Sequence, residues 1–473
     1  MTNKLWDFSA FANHTALRSE VRTVTYQELG EEAERISACM APRSLVFLLA
    51  RNSLAAIAGY VGFVQNGIVP VMIDATLDAG LLTALRAAYR PCYAWVSAER
   101  AEEFQPSREV LRHDAYVLLD LEEKSPFPLH DDLALLMTTS GSTGSPKLVR
   151  QSYENLRANT ASIAAYLHLD ETERAVTNLP LHYVYGLSVL NTHLAVGASV
   201  VVTEKTLFDR AFWQLMREKE VTNLSGVPYT YAMLKRLRFF RMDLPALRTL
   251  TQAGGKLDPE LHAEFAEFAA REGKSFVVMY GAAEATARMG YLPPQDALEK
   301  VGAMGVAIPG GRFALVDEAG EEITAADTVG ELVYYGANVT LGYAESGADL
   351  ARGDERHGRY ETGDLAQRDA DGYYTIVGRK RRFLKMFGKR TNLQEVEHIL
   401  RRQFGEVEVA CAGVDDQLYV FVTQEVLVPK IVPFLSAKLG LHHTAFTAKC
   451  IAEIPKNASG KTVYRELEQY YDV

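Results

Sequence analysis

A stretch rich in glycine, serine and threonine follows a short apolar run and ends in a lysine. It reads TTSGSTGSPK and occupies positions 138–147. Glycines let backbone N–H groups turn inward, hydroxyls add donors and the lysine supplies positive charge, so such a loop can cradle a polyphosphate. The G-x-x-x-x-G-K-S/T spacing of a Walker loop is absent. Taken alone, the stretch predicts either a phosphate-binding loop or a flexible surface loop.

Four further segments place charged side chains in tight, glycine-rich or basic surroundings. Glu284 lies in MYGAAEAT after an apolar run, where a carboxylate suits a magnesium ion near phosphates. Asp364 follows a glycine in YETGDL, a position from which it can accept hydrogen bonds from a ribose. Arg379 and Lys385 belong to a basic run, and Lys461 lies in a Gly/Ser turn near the end of the chain. Each segment alone is more typical of a capped turn or a surface charge.

In this order, the five segments resemble those of the adenylate-forming superfamily, which includes acyl- and aryl-CoA synthetases, nonribosomal-peptide adenylation domains and firefly luciferase. The resemblance extends from about Thr23 to Leu467. It implies an acid–thiol ligase that uses ATP and Mg²⁺ to convert a carboxylic acid to an acyl-adenylate. The acyl group would then pass to the phosphopantetheine thiol of CoA or of a separate acyl carrier protein.

The resemblance also implies roles for individual residues. Lys461 would be the catalytic lysine, Glu284 would act in catalysis as the magnesium ligand, Arg381 would be the hinge, and Gly388 would lie beside the thiol channel. The nucleotide would be bound by Thr139, Ser140, Gly141, Ser142, Thr143, Gly144, Lys147, Ala253, Gly254, Gly255, Tyr280, Gly281, Ala283, Asp364, Arg379 and Lys385.

One departure from the family pattern is Ala283, which stands where a threonine is usual. Loss of that hydroxyl would cost a nucleotide contact of about 0.5–1.5 kcal/mol. Because Glu284 is retained, we expect a tuned enzyme. The alternative is a nucleotide-binding partner protein without catalytic activity.

The segment around residue 184 resembles the pocket-entry helix of acyl-CoA synthetases. The expected substrate pocket comprises His182, Tyr183, Val184, Gly186 and Tyr229. The aspartate that pairs an α-amino group in amino-acid adenylating enzymes would fall at Val184. Because a buried ammonium without a counter-charge is costly, a standard α-amino acid is disfavoured.

Four tyrosines near this segment leave two interpretations open. Tyr183, Tyr185, Tyr229 and Tyr231 either line a flat pocket for an aryl acid or pack in the core with satisfied hydroxyls. We expect an aryl or other non-amino acid as the substrate, with amino-acid adenylation as an alternative.

The elements that position these residues follow a βαβ rhythm in the first two thirds of the chain. This rhythm predicts parallel sheets with flanking helices. The predicted strands lie at 44–50, 68–73, 198–202, 221–224, 247–250 and 275–279, and the predicted helices at 54–65, 81–89, 210–218 and 259–271. After about residue 310 the strands become shorter. Beyond the basic run come a helix near 392, a two-stranded pattern at 407–422 and a helix at 430–439.

The expected fold class is therefore α/β. A large N-terminal domain, residues 1–379, would bind ATP and the acid and would include a small barrel-like β part. A small mobile α+β C-terminal domain, residues 380–473, would carry the catalytic lysine.

The composition is that of an ordinary globular protein, with 48% hydrophobic and 23% charged residues among 473. A net charge of −10 argues against nucleic acid as the main partner. We find neither the apolar segment of a signal peptide nor a run long enough to span a bilayer, so no membrane partner is expected. The four cysteines are widely spaced and predict no disulfide framework or zinc site. These features favour a cytoplasmic location.

Overall fold

The structure is a computed structural model. It describes residues 4–106, 108–121, 127–138, 147–386, 389–405, 407–456 and 462–471, without the side chains at positions 381, 383, 385, 389, 390 and 392.

The chain divides into two compact units. The larger unit comprises Met1–Phe313 and Val333–Tyr360, and the smaller comprises Ala314–Leu332 and Glu361–Val473. The larger unit has two large α/β sheets and the end of the chain has an α+β arrangement, which confirms the predicted fold class. The domain boundary after residue 379 stays a prediction.

Several α-helices begin at a residue whose side chain caps the first turn. In α8, for example, the Asp258 side chain accepts from the N–H groups of Glu260 and Leu261, and Pro259 occupies the first turn. The helices are α1 (Tyr26–Ser37), α2 (Leu54–Gln65), α3 (Ala79–Tyr89), α4 (Tyr153–Tyr166), α5 (Val184–Ala195), α6 (Arg210–Glu218), α7 (Pro228–Arg236), α8 (Pro259–Arg271), α9 (Leu393–Phe404) and α10 (Val428–Leu439).

The strands are short, and many in the larger unit are buried. They are β1 (Thr15–Arg18), β2 (Thr23–Thr25), β3 (Leu45–Ala50), β4 (Val69–Asp74), β5 (Tyr93–Ser97), β6 (Arg108–His113), β7 (Tyr116–Asp120), β8 (Leu133–Thr138), β9 (Leu148–Ser152), β10 (Arg174–Val176), β11 (Ser199–Val201), β12 (Asn223–Gly226), β13 (Thr249–Gln252), β14 (Ser275–Tyr280), β15 (Gly290–Tyr291), β16 (Val306–Ala307), β17 (Gly311–Val316), β18 (Val329–Gly336), β19 (Gly342–Ala344), β20 (Arg359–Arg368), β21 (Tyr374–Arg379), β22 (Phe383–Met386), β23 (Lys389–Asn392), β24 (Val409–Val414), β25 (Gln417–Val422) and β26 (Phe446–Cys450).

Two large sheets organise the larger unit. The first has the order β16-β15-β14-β13-β12-β10-β11-β1-β2, and the second has the order β19-β9-β8-β4-β3-β5-β7-β6. Their central pairs are parallel, whereas β5-β7, β7-β6, β8-β9 and β9-β19 are antiparallel. The sheets are therefore mixed, with antiparallel pairing toward their edges. A smaller sheet has the order β17-β18-β20-β21.

Three adjacent parallel strands of the first sheet, β12, β13 and β14, end side by side. Gly226 pairs with Gln252, and Gln252 pairs with Val278. In an open α/β sheet, ligands bind outside the carboxyl ends of the strands. The segments that follow these strands begin at residues 227, 253 and 281, so the candidate site residues 253–255, 281 and 284 share one edge of the sheet.

The end of the chain forms its own core. The hairpin β22-β23 and the sheet β24-β25-β26 surround apolar residues from α9 and α10. Strands β24 and β25 pair antiparallel, whereas β25 and β26 pair parallel.

Candidate active site

The predicted phosphate loop is bracketed by an antiparallel strand pair. Strands β8 and β9 pair up to Thr138 and Leu148, so the loop begins and ends at neighbouring backbone positions. Six candidate residues of the loop lie outside the described residues: Thr139, Ser140, Gly141, Ser142, Thr143 and Gly144. At the end of the loop, the ammonium nitrogen of Lys147 lies 3.7 Å from the ring centroid of Tyr343.

The carboxylate of Glu284 meets the same tyrosine. The hydroxyl of Tyr343 donates to Oε1 of Glu284 at 2.5 Å. Burial and the adjacent carboxylate raise the pKa of Tyr343 to about 12, so the phenol stays protonated at neutral pH. The structure therefore places Lys147, at the end of the phosphate loop, over the ring of Tyr343, and Glu284, the predicted magnesium ligand, at its hydroxyl.

The backbone around Glu284 is held by polar contacts from the segment that carries Tyr343. Its carbonyl accepts from the amide and the hydroxyl of Thr340, at 3.0 and 2.9 Å, and from the Arg356 guanidinium at 3.1 Å. The guanidinium carbon of Arg356 also lies 4.7 Å from the Tyr343 ring centroid. Arg356 and Lys147 place two cations beside one ring, an arrangement that favours a polyanion.

These observations can be compared with the donor set that Mg²⁺ prefers. Magnesium is usually held by one or two carboxylates, substrate phosphate oxygens and water. Tyr343 engages one oxygen of Glu284, and a carboxylate has two. The carboxylate therefore fits a magnesium ion that also binds ATP phosphates.

The predicted adenine wall follows β13. Ala253 is buried, and its N–H donates to the Gly226 carbonyl at 3.1 Å. Gly254 has φ +87°, and a Cβ there would lie 2.6 Å from the Tyr183 hydroxyl. Both the backbone angle and the lack of room for a Cβ require glycine at position 254. Tyr183 of the predicted pocket therefore lies directly against the predicted adenine wall. The carbonyl of Gly255 accepts from the Gln252 side chain at 2.9 Å.

The turn after β14 is equally tight. A Cβ on Gly281 would lie 1.8 Å from the Ala287 carbonyl oxygen, so residues 287 and 288 pack directly on the backbone after Tyr280. Ala283 begins the 3₁₀ turn Ala283–Ala285 and packs against the large core cluster. An apolar side chain at position 283 therefore suits its surroundings.

The predicted ribose ligands lie together in the smaller unit. Asp364 and Arg379 are register partners in β20 and β21, and Nε of Arg379 lies 2.9 Å from Oδ1 of Asp364. The Asp364 side chain is buried and the Arg379 side chain is exposed.

The pocket segment forms the start of α5. Nε2 of His182 lies 3.5 Å from a carboxylate oxygen of Asp74. Burial lowers the pKa of His182, and the opposing effect of Asp74 is smaller, so the imidazole is neutral at neutral pH. Val184 begins the helix and packs at the edge of the core, and Gly186, two residues further along, is buried.

The four tyrosines separate into different environments. Tyr183 and Tyr185 contact each other edge to face, with centroids 6.3 Å apart. The hydroxyl of Tyr185 contacts the carbonyl and the hydroxyl of Thr251 at 2.8 and 2.9 Å. Tyr231 packs against Phe265 and Phe276 in the core. Tyr229 is 56% exposed.

Several predicted residues are not placed by the structure. Lys461 and Gly388 lie outside the described residues, as do the side chains of Arg381 and Lys385. Their roles stay predictions.

Sequence reasoning missed Tyr343, Thr340 and Arg356. They occur between two recognised segments, and no spacing rule distinguishes them from other polar residues. Pairing of β19 with β9 places Tyr343 opposite Val149, next to the end of the phosphate loop. Only this long-range pairing reveals their connection to the site.

None of the helices in the part of the chain that the structure describes is both long and apolar enough to cross a bilayer.

Comparisons with known proteins agree with this geometry. The model of the family described as AMP-binding enzyme matches residues 6–344. Sulfoacetate–CoA ligase of Cupriavidus necator is 32% identical over 356 residues, which cover 72% of this chain and 68% of the relative. Feruloyl-CoA synthase of an Amycolatopsis species is 27% identical over 479 residues, covering 97% and 96%.

Solved structures show the same fold. The O-succinylbenzoate coenzyme A synthetase of Bacillus subtilis in complex with AMP has a TM-score of 0.80 at 21% identity, covering 99% of this chain and 98% of that one. The fold, the site geometry and the family match together show that this chain belongs to the AMP-binding enzyme family.

Proposed function

We propose that the chain is an AMP-forming acid–thiol ligase that activates a non-amino carboxylic acid, preferably an aryl acid, and transfers it to CoA. The observation that carries this proposal is the meeting of Lys147 and Glu284 on Tyr343. A cation at the end of a Gly/Ser-rich loop and a carboxylate for magnesium are the two groups that polyphosphate chemistry requires.

In the first half-reaction, a carboxylate oxygen of the acid attacks the α-phosphorus of ATP. A new carbon–oxygen–phosphorus bridge forms, the bond to the pyrophosphate oxygen breaks, and pyrophosphate leaves. Lys147 and Arg356 stabilise the negative charge of the phosphates, and Glu284 would hold Mg²⁺, which neutralises charge on the leaving group. Lys461 would act on the oxygens between the acyl group and the α-phosphate.

In the second half-reaction, the thiol sulfur of CoA attacks the acyl carbon of the adenylate. The thioester bond forms, the carbon–oxygen bond to AMP breaks, and the thiol proton is released. No covalent bond to the protein is required. The two relatives are named as a CoA ligase and a CoA synthase, which supports CoA as the acceptor, with a separate acyl carrier protein as the other acceptor to test.

The pocket favours an acid without an α-amino group. Val184 offers no charge to an ammonium group, and the neutral His182 already engages Asp74. Within the part of the chain that the structure describes, no cysteine forms a disulfide, which supports a reducing, cytoplasmic location.

The test is acid-dependent exchange of radiolabelled pyrophosphate into ATP across a panel of aryl, aliphatic and amino acids. Exchange should require Mg²⁺ and be strongest with a non-amino acid, and addition of CoA should yield the thioester and AMP. Glu284→Gln should remove magnesium-dependent exchange while ATP still binds. ATP binding without exchange for any acid would show a nucleotide-binding protein without ligase activity and would overturn the proposal.

A further inference from the structure

Arg288 is a buried cation that the ligase mechanism does not use. The residue is 2% exposed, and its guanidinium carbon lies 3.9 Å from the ring centroid of Tyr185. Its Nε donates to the Met279 sulfur at 3.4 Å, a weak acceptor. Within the described residues, no carboxylate lies within ion-pair distance of this guanidinium. A buried charge without a counter-charge is costly, and the neutral contacts with the Tyr185 ring and the Tyr166 hydroxyl offset only part of that cost.

The backbone that carries Arg288 is strained. Thr286 has φ +65° and ψ −62°, and the N–H of Ala287 donates to the Ala285 carbonyl at 2.7 Å across it. A β-branched residue with positive φ is an outlier that persists only when its surroundings enforce it. Such strain is typical of functional sites. The turn also places Arg288 four residues after Glu284, on the same loop as the predicted magnesium ligand.

The side chain of Arg288 lies beside the predicted acid pocket. Tyr185, under the guanidinium, contacts Tyr183, and the Tyr183 hydroxyl lies against Gly254 of the adenine wall. Burial raises the pKa of Tyr183 to about 12, and the positive charge of Arg288 opposes that rise. Contacts of Tyr185 and Tyr183 therefore connect the Arg288 guanidinium to the place where the acid and the nucleotide would meet.

We propose that Arg288 is a specificity-determining residue that binds a second anionic group of the acid, a carboxylate or sulfonate, remote from the carboxylate that is adenylated. The inference rests on the proposed ligase activity. An anionic group of the substrate would supply the counter-charge that the described protein residues do not give to Arg288. A guanidinium binds such a group through two parallel N–H···O bonds. The tyrosine rings suit a flat spacer between the two acid groups.

The first test uses the wild-type protein. Terephthalic, isophthalic and glutaric acids are compared with their monomethyl esters, which keep the skeleton and one carboxylate but lack the second charge. Diacids should exceed their half-esters in kcat/KM for pyrophosphate exchange by about 10- to 100-fold, the value of a hydrogen bond to a charged group. Half-esters used equally well or better would overturn the inference while leaving the ligase activity established. Absence of exchange with every acid would overturn the proposed function and this inference with it.

The second test changes the arginine. Arg288→Met should lower kcat/KM for the diacid by about 10- to 100-fold and change that for the half-ester little, because only the diacid loses its partner. Arg288→Lys keeps the charge without the planar fork and should retain part of the preference. Arg271→Met is the matched control, since Arg271 is exposed and lies 5.6 Å from the Phe268 ring on α8.

The ratio of the two acids is measured within one preparation, so partial loss of folded protein cancels. A purely structural arginine would lower both values equally and leave the ratio unchanged, which would contradict the proposal. If Arg288→Met does not fold, the wild-type ratio and the Arg288→Lys ratio decide the question.

Discussion

The hydroxyl of Tyr343 is expected to set the position of Glu284, the predicted magnesium ligand. Tyr343→Phe removes the 2.5 Å hydrogen bond to Glu284 but keeps the ring that Lys147 and Arg356 contact. Because the pKa of the phenol is raised to about 12, the O–H donor is present throughout the neutral range. The substitution therefore tests one contact under ordinary assay conditions.

The magnitude follows from the kind of bond. A hydrogen bond to a charged group contributes about 1.5–3 kcal/mol, and loss of a partner that orients a metal ligand typically weakens metal affinity by about 10- to 100-fold. Two effects oppose each other, because the hydroxyl orients the carboxylate but also competes with the metal for it. Tyr343 engages only Oε1 of Glu284, so we expect orientation to win. The Mg²⁺ concentration for half-maximal exchange should rise by about 10- to 100-fold, with a rate at saturating Mg²⁺ close to that of the wild type.

The assay is a magnesium titration of pyrophosphate exchange at fixed ATP. Tyr335→Phe is the matched control, because an arginine, Arg312, lies 4.4 Å from the Tyr335 ring, and the Tyr335 hydroxyl accepts from Arg359 and does not donate to Glu284. The control should titrate like the wild type. A lower Mg²⁺ requirement in Tyr343→Phe would show that the hydroxyl competes with the ion. A loss of rate at every Mg²⁺ concentration, without a shift in the midpoint, would refute the assignment of Glu284 as the ligand.

Four other substitutions probe separate parts of the chain. Ala283→Thr should keep the fold and change ATP affinity by less than about tenfold, measured by calorimetric titration, and loss of all activity would contradict this. Glu397→Ala should lower the free energy of unfolding, measured by urea denaturation, by about 3–5 kcal/mol, because it leaves the buried Arg382 guanidinium without its 2.7 Å partner. An unchanged urea midpoint would show that the pair is dispensable. Lys461→Ala should slow adenylation by about 10²–10³ yet spare thioester formation from supplied acyl-adenylate, whereas Gly388→Trp should do the reverse. Single-turnover assays of each half-reaction decide the last pair, and equal losses in both variants would exclude the proposed division of labour.

Much of the fold could be predicted because its signals are local. Helices at 54–65, 210–218 and 259–271 have the predicted bounds. Ser53 and Asp258 cap the first and the third, and the second has buried residues at 212, 215 and 216 on one face. The observed strand ends differ from the predicted ones by one or two residues, because the end of a strand depends on where its hydrogen-bonded partner strand ends. Strand β6 was not predicted: it is largely half-exposed, alternates poorly and is defined by its pairing with β7.

The candidate site was less accessible to sequence reasoning. Glycine-rich turns and their charges are contiguous in sequence, so Lys147, Glu284 and Asp364 could be proposed from the sequence alone. Tyr343 joins two of them only through sheet pairing, which leaves no local signal. Tyr231 illustrates the reverse problem, since an aromatic residue near a pocket segment and one in the core have the same appearance in sequence.

The short loop after β14 carries two side chains, Glu284 and Arg288, for which we propose separate tasks. Glu284 faces Tyr343, whereas Arg288 faces Tyr185. Between them, the buried Asn338 side chain donates to the carbonyls of Ala285 and Arg288, both at 2.9 Å, and the Asn338 carbonyl accepts from the Thr286 hydroxyl at 2.7 Å. These contacts hold the backbone of the turn without using the side chain at position 288. If Arg288 binds the acid as proposed, the residue at position 288 can change with the acid while Glu284, the predicted magnesium ligand, stays in place.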